Sequence, residues 1–277
     1  MSKGSLVSVI VTTKNEEEVI GRLLKSIQKQ TYKNIEIILV DNNSTDRTLI
    51  IANKFGVKSF TFGPERSAQR NYGAKKSKGE YLLFLDADME LSSKVLEDCV
   101  RVSMRDAKIG GVVIPEQSKG NNFWEKVKAF ERSFYNLEGD EITDAARFFK
   151  REAYNEARGY DETITGPEDW DLPESVKKLG FKIGRIKSVI YHYERIRSPF
   201  DLARKKFYYA LRAHRYLYKH EISTFSPKTV YFLRPVFYKN FDKILTHPIL
   251  SLGMFIMLSV ELIGGGLGYF IGKIKKL

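Results

Sequence analysis

The chain has 277 residues, 43% of them hydrophobic, and a single cysteine, Cys99. That length suits one large domain or a domain with an appendage, and one cysteine excludes an internal disulfide framework and a cysteine zinc site. A formal charge of +12, from 46 Lys and Arg against 34 Asp and Glu, favours a polyanionic partner: nucleic acid, an anionic membrane surface or phosphate-bearing substrates.

Leu6–Thr12 reads as a first buried strand, too short and too quickly followed by polar residues to be a signal peptide. With one cysteine and no such leader, a reducing, cytoplasmic setting is expected. Asn15–Gln30 follows as a helix, with Val19, Leu23, Leu24 and Ile27 at helical spacing, Asn15 as its cap and Glu16–Glu18 at its positive end. Ile35–Asp41 is a second strand, Asp46–Phe55 a helix, Val57–Thr61 a short strand and Ser67–Ser77 a third helix. Tyr81–Leu85 is a fourth strand, an unbroken apolar run that ends in Asp86-Ala87-Asp88. Strands alternating with helices imply an α/β fold with a doubly wound, mostly parallel sheet.

Ligands of such sheets gather at the carboxyl ends of the strands. Asp86 and Asp88 stand there, and carboxylate oxygens suit Mg²⁺ or Mn²⁺, which reach a protein through one or two carboxylates plus substrate phosphates. A divalent-metal site holding a nucleotide diphosphate is the expectation; a strand terminus and helix cap is the plainer alternative. Neither Gly-x-Gly-x-x-Gly after the first strand nor a Gly-x-x-x-x-Gly-Lys-Ser/Thr loop occurs, so a nucleotide would be held by other means.

Beyond Asp88 come a helix (Ser93–Met104) and a strand (Gly111–Pro115). Phe123, Val127, Phe130, Phe134 and Leu137 form an apolar stripe, read as core. Ala145–Phe149 reads as a strand, residues 159–162 as a turn, the stretch from Gly166 to Gly180 as a helix, and Val189–His192 as a last strand.

Five stretches in order and in register resemble family two glycosyltransferases: Val9–Glu16, Val40–Asp46, Arg70-Asn71-Tyr72-Gly73-Ala74, Phe84–Asp88 and Glu168-Asp169. They run from Val9 to about His192, most of the chain. The resemblance implies a GT-A fold, that of nucleotide-diphospho-sugar transferases, and hexosyl transfer from a nucleotide-sugar donor with inversion at the anomeric carbon. It makes Asp88 the direct metal ligand, with Asp86 reaching the ribose or the metal through water, and Mg²⁺ or Mn²⁺ the cofactor. Thr12 and Glu16 resemble nucleotide contacts. Asp41, at the end of a strand, is placed to meet ribose or base, with an Asx-turn over Asn42 and Asn43 as the alternative. Arg66 and Arg70, at the start of the third helix, suit phosphate; solvated helix surface is the alternative.

An acceptor hydroxyl must lose a proton as it attacks. Glu168 and Asp169 point about 100° apart on a helix, so one proton can meet only one of them; the resemblance makes the second, Asp169, the general base. Helix capping is the plainer reading of both acids. Trp170 is either a wall against the acceptor or core. His192, beside Arg195 and Arg197, is either a metal or diphosphate contact or structural.

Arg195–Lys219 holds eight Lys or Arg and one acid, Asp201, interleaved with aromatics. This reads as a helix at a membrane surface, a single-strand nucleic-acid platform, or a basic helix packed on the catalytic domain. Pro248–Gly272 then carries one charge, Glu261, over a length able to cross about 30 Å of hydrocarbon. That favours a membrane over nucleic acid, and no nucleic-acid partner is expected. The glycines at 264, 265, 266 and 268 and the acid Glu261 leave a re-entrant segment or an oligomer contact open. The expected division is a catalytic domain over 1–197, basic aromatic interfacial helices over 198–246, and a hydrophobic membrane segment with a basic tail over 247–277.

The Gln-x-x-Arg-Trp sequence of processive synthases in this family is absent, which points to one sugar per encounter; Glu168-Asp169 favours a hydroxyl acceptor, and the apolar tail suggests that it is carried on a lipid. The alternatives are a polyprenyl-phosphate sugar synthase, whose acceptor needs no base, and a non-catalytic nucleic-acid or membrane-surface binding protein. Asp41 is compatible with uridine and guanosine donors alike.

Overall fold

The computed structural model describes residues 4–140 and 142–275. In chain order the elements are β1 (Val7–Thr13), α1 (Ile20–Gln28), β2 (Ile35–Asp41), α2 (Thr48–Lys54), β3 (Lys58–Thr61), α3 (Arg66–Lys76), β4 (Tyr81–Asp86), β5 (Met89–Leu91), α4 (Val95–Arg105), β6 (Ile109–Val113), β7 (Glu116–Lys119), α5 (Phe123–Arg132), β8 (Ala146–Lys150), α6 (Arg151–Glu156), α7 (Glu168–Lys178), β9 (Lys182–Arg185) and β10 (Ile190–Tyr193). The helices α8 (Pro199–Ala210), α9 (Ala213–Lys219), α10 (Pro235–Lys239), α11 (Phe241–Thr246) and α12 (Pro248–Ile274) complete the chain. These elements gather into two compact units. The first takes the chain up to Pro115, Ala145–Glu162 and Asp169–His192; the second takes Glu116–Asp144, Thr163–Glu168 and the chain from Tyr193 on.

The first unit is built on a seven-stranded sheet of order β3-β2-β1-β4-β8-β6-β9. All seven residues of β1 are buried, as a central strand covered on both faces requires. Its side chains alternate between two cores. Val7, Val9 and Val11 join Leu83 and Leu85 of β4 with α1 and α4 on one face, while Ile10 joins Leu82 and Phe84 with α3, α6 and α7 on the other. Gly73 lets α3 close on the sheet, since a Cβ there would lie 2.5 Å from Ile10 and 3.1 Å from Val40. β8 runs antiparallel to both β4 and β6, so the sheet is mixed and mostly parallel.

Two expectations for this unit are corrected. The first helix begins at Ile20, with no side-chain cap. Asn15 instead adopts a left-handed backbone (φ 55°), and its Oδ1 accepts the Thr45 N–H at 2.8 Å, tying the β1 loop to the β2 loop. Three short elements of this unit, β5, α6 and β9, escaped the sequence reading, as did β7 of the second unit. None exceeds six residues or carries a periodic apolar run.

The second unit has its own core. Val127, Phe130 and Phe134 of the expected stripe are buried with Leu202, Phe237, Met254, Met257 and Leu258, whereas Phe123 and Leu137, at the stripe's ends, are exposed. The helix stops at Arg132, short of Leu137, and is opened by a capping box between Asn122 and Glu125.

Candidate active site

Strand register delivers the acids to one edge of the sheet. Thr12 of β1 stands opposite Asp86 of β4, and Thr13 opposite Asp41 of β2. Gln69 of α3 donates to the Val40 carbonyl at 2.7 Å and the Thr13 carbonyl at 3.2 Å, fixing the start of that helix over the strand ends.

One side chain organises the rest. Arg70, fully buried, donates through Nη2 to Asp86 Oδ1 at 3.0 Å and through Nη1 to Asp169 Oδ1 at 2.6 Å. Its guanidinium lies over the Tyr160 ring, 5.0 Å from the centroid. A forked, planar cation that joins two carboxylates is a role Lys could not fill. Arg147 of β8 lies 3.4 Å from the other Asp86 oxygen. Burial by itself would push the Asp86 carboxyl up; Arg70, Arg147, Arg66 and His192 outweigh that and hold it well below the usual carboxylate range. The next residue, Asn71, faces away as a clamp. Its Nδ2 donates to the Tyr160 carbonyl and Glu162, and its Oδ1 accepts from the Tyr154 hydroxyl and the Tyr160 N–H.

Asp88 has a different neighbour. β10 pairs antiparallel with β5, placing His192 opposite Met89 and its Nε2 3.5 Å from Asp88 Oδ1. Among the described residues, no group of three or more His, Cys, Asp or Glu side chains is gathered to hold a metal unaided. A carboxylate and an imidazole, with Asp86 beside them, suit an ion that completes its shell from phosphate and water.

The remaining candidates divide. Asp41 is buried and makes the Asx-type arrangement: it accepts from Thr13 Oγ1 (2.7 Å), Ser44 Oγ (2.6 Å) and the Ser44 N–H (2.7 Å). Glu16 follows β1, and its backbone N–H donates to Thr48 Oγ1. Arg66 opens α3. Asp169 keeps 28% of its side-chain surface exposed beside a wholly enclosed Arg70. Glu168, the first residue of α7, is buried. Trp170 is half-buried, and the core positions of α7 are Leu172 and Val176, so this ring stands outside that hydrophobic cluster. Arg147 and Tyr160 were not anticipated. An arginine inside the otherwise apolar Ala146–Phe149 run was the available clue to the first; Tyr160 had none.

The chain is similar to known proteins in sequence and in fold. The sequence model of Glycosyl transferase family 2 matches residues 8–159, more than half of the chain. The beta-monoglucosyldiacylglycerol synthase of Nostoc sp. is 30% identical over 195 residues, 61% of this chain and 41% of that protein. The chain spans 26% to 41% of the length of the first curated relatives it matches. Among solved structures, the mannosyltransferase PcManGT from Pyrobaculum calidifontis, in complex with GDP-Man and Mn²⁺, superposes with a TM-score of 0.59 at 19% identity, covering 96% of this chain and 74% of that one. S. aureus TarS 1–349 in complex with UDP gives 0.55 at 18% identity, covering 97% and 91%. The acid-bearing strand ends, the mostly parallel sheet and the family match agree: the chain has the GT-A fold and belongs to glycosyl transferase family 2.

Proposed function

We propose that the chain transfers one sugar from a nucleoside diphosphate sugar to a hydroxyl of a lipid-linked acceptor, with inversion, and that Asp169 is the general base. The observation that carries this reading is the single buried guanidinium of Arg70, hydrogen-bonded to both Asp86 and Asp169. It fixes the proposed base at a set place relative to the donor-side acid, while the exposed part of Asp169 stays open to an acceptor.

In the displacement, the acceptor oxygen forms a bond to the anomeric carbon on the face opposite the diphosphate. The bond from that carbon to the diphosphate oxygen breaks, and its electron pair leaves with the diphosphate. The hydroxyl proton passes to Asp169. In this reading Thr12, Glu16 and Asp41 meet the nucleoside and Arg66 the phosphates. Trp170 offers a wall to the acceptor, and Glu168 stays buried as support for the turn into α7.

The charges near Asp86 also bear on the cofactor. Asp86, Asp88 and Asp169 match Arg66, Arg70 and Arg147 in number, so these six side chains offer a diphosphate no excess of positive charge. A divalent cation held by Asp88 and His192, with Asp86 through water, would supply it as a Lewis acid. PcManGT, a structural neighbour, was solved with Mn²⁺ and a nucleotide sugar. Support for a lipid-linked acceptor comes from the name of the Nostoc relative and from the apolar α12.

Thermal unfolding with a panel of nucleotide sugars tests the donor side. The cognate donor raises the melting temperature with Mn²⁺ and by much less without it, because a ligand of the folded state alone stabilises it. Asp88→Ala removes the Mn²⁺ dependence. A metal-independent shift that survives Asp88→Ala would contradict the proposed metal role.

A further inference from the structure

Helix α12 is apolar enough to cross a membrane by length and composition, yet its two sides differ. One side is built into the second unit. Glu261, its one charge before Lys273, is 2% exposed, with Lys128 Nζ 2.9 Å from one carboxylate oxygen and Lys206 Nζ 3.5 Å from the other. Lys128 also pairs with Glu131 at 3.0 Å. A stripe of glycines brings backbone onto backbone: a Cβ at Gly264, Gly268 or Gly272 would lie 2.5, 2.2 and 1.9 Å from the carbonyl oxygens of Ala203, Phe207 and Leu211. The ascending order of those partners makes α8 run parallel to the last turns of α12. The first turns rest on α5, where a Cβ at Gly253 would meet Val127 at 2.7 Å.

On the other side, among the described residues, large apolar side chains stand open. Leu252, Ile256, Ile263, Leu267 and Phe270 are between 44% and 64% exposed. The hydroxyl on that side, Ser259, donates to the Phe255 carbonyl of its own helix at 2.8 Å, as a hydroxyl facing hydrocarbon would. An apolar strip of this extent marks an interaction surface.

The helices alongside decide how a bilayer can meet it. From Gly253 to Gly272 is roughly 28 Å, close to the full hydrocarbon thickness. Charged helices flank that whole span: α5 with Lys126, Lys128 and Arg132, then α8 with Arg204, Lys205 and Lys206. Crossing would carry these cations and Glu261 to the depth where charges cost most. Lying flat sinks only the outward strip and leaves the exposed Arg204, Lys239, Lys273 and Lys275 at the level of anionic headgroups.

We propose that α12 docks the second unit on one leaflet of an anionic bilayer, lying in the membrane plane rather than crossing it. This deepens, and rests on, the reading of a membrane-borne acceptor.

The test uses the full chain with Cys99→Ala and single cysteines at Leu252, Ser259 and Leu267, each carrying a nitroxide, mixed with phosphatidylcholine vesicles with or without phosphatidylglycerol. The expected result is binding that is stronger with phosphatidylglycerol, weakens with salt, and places all three labels at one shallow depth. A depth that peaks at Ser259 means crossing and overturns the proposal. Label–label broadening between chains without vesicle binding means a second copy covers the strip and overturns it too. The double variant Ile263→Glu, Leu267→Glu is expected to lower vesicle partitioning by about tenfold or more while donor binding in solution is unchanged, since both side chains are exposed. Loss of donor binding in the parent chain would count against the catalytic reading alone, so the two failures are distinguishable.

Discussion

Each unit of this family two chain buries an ionic cluster, and the two clusters are finished differently. In the second unit Glu131 and Glu261 are 1% exposed at the side chain, enclosed by Lys128 at 7%, with Arg234 3.8 Å from Glu131. In the first unit Arg70 is as deeply enclosed, but its partners Asp86 and Asp169 keep 17% and 28% of their surface. A sealed cluster can only hold parts together; one whose acids reach solvent can also meet a substrate. Burying ion pairs is costly in both places, and removing one partner is costlier than never having had the pair.

That contrast can be broken by mutation. Arg70→Ala has the largest expected effect. It takes from Asp86 and Asp169 their shared partner and leaves Asp86 with Arg147, destabilising the fold by about 4 kcal/mol, and abolishes sugar transfer; Arg70→Lys keeps the charge but not the fork, and recovers stability better than transfer. Calorimetry and a transfer assay on the same preparations separate the two losses.

Glu261→Gln should cost about 3 kcal/mol, since it leaves Lys206 and half of Lys128 uncompensated, without changing donor binding. Its pH dependence sharpens the point. Burial alone would push the Glu261 carboxyl up, but Lys128 and Lys206 hold it down at about 2. A depressed carboxyl contributes stability above the ordinary Glu value of about 4.3 and loses it as pH falls from there towards the folded value. Acid unfolding should therefore flatten across that window in Glu261→Gln. An unchanged acid profile would place the ion pairs elsewhere.

The smallest effect is expected at Asn71→Ala. It frees the Tyr160 backbone and the Tyr154 hydroxyl, costing about 2 kcal/mol, and loosens the ring under Arg70. Transfer should fall moderately, through a less well-held base, and a stability loss with transfer untouched would argue against that coupling.

How much of this was legible follows from where the contacts come from. β4 is an unbroken apolar run, β1 and β2 are apolar runs interrupted only at Ser8 and Glu36, and the three end in Asp86, Thr12–Thr13 and Asp41, so the sheet and its acid-bearing edge could be read directly. The Arg70–Asp169 and Asp86–Arg147 pairs join residues far apart in the chain; the motifs named three of these four, and nothing named Arg147. His192 meets Asp88 only because β10 pairs with β5, a strand of three residues with no period to detect. Asn15 looked like a helix cap because its neighbours were acidic, but the loop after β2 offered its side chain a closer partner. Glu261 looked like a defect in a membrane span, because Lys128 and Lys206 meet it only through folding.

The central claim is that Arg70 holds Asp169 as the base for a donor gripped at Asp86 and Asp88. Donor affinity and single-turnover transfer to a hydroxyl acceptor, both measured on Asp169→Asn, test it most directly. The account predicts unchanged donor binding and transfer slower by about 10²–10⁴-fold. Full transfer by Asp169→Asn would contradict it and point to an acceptor that needs no base.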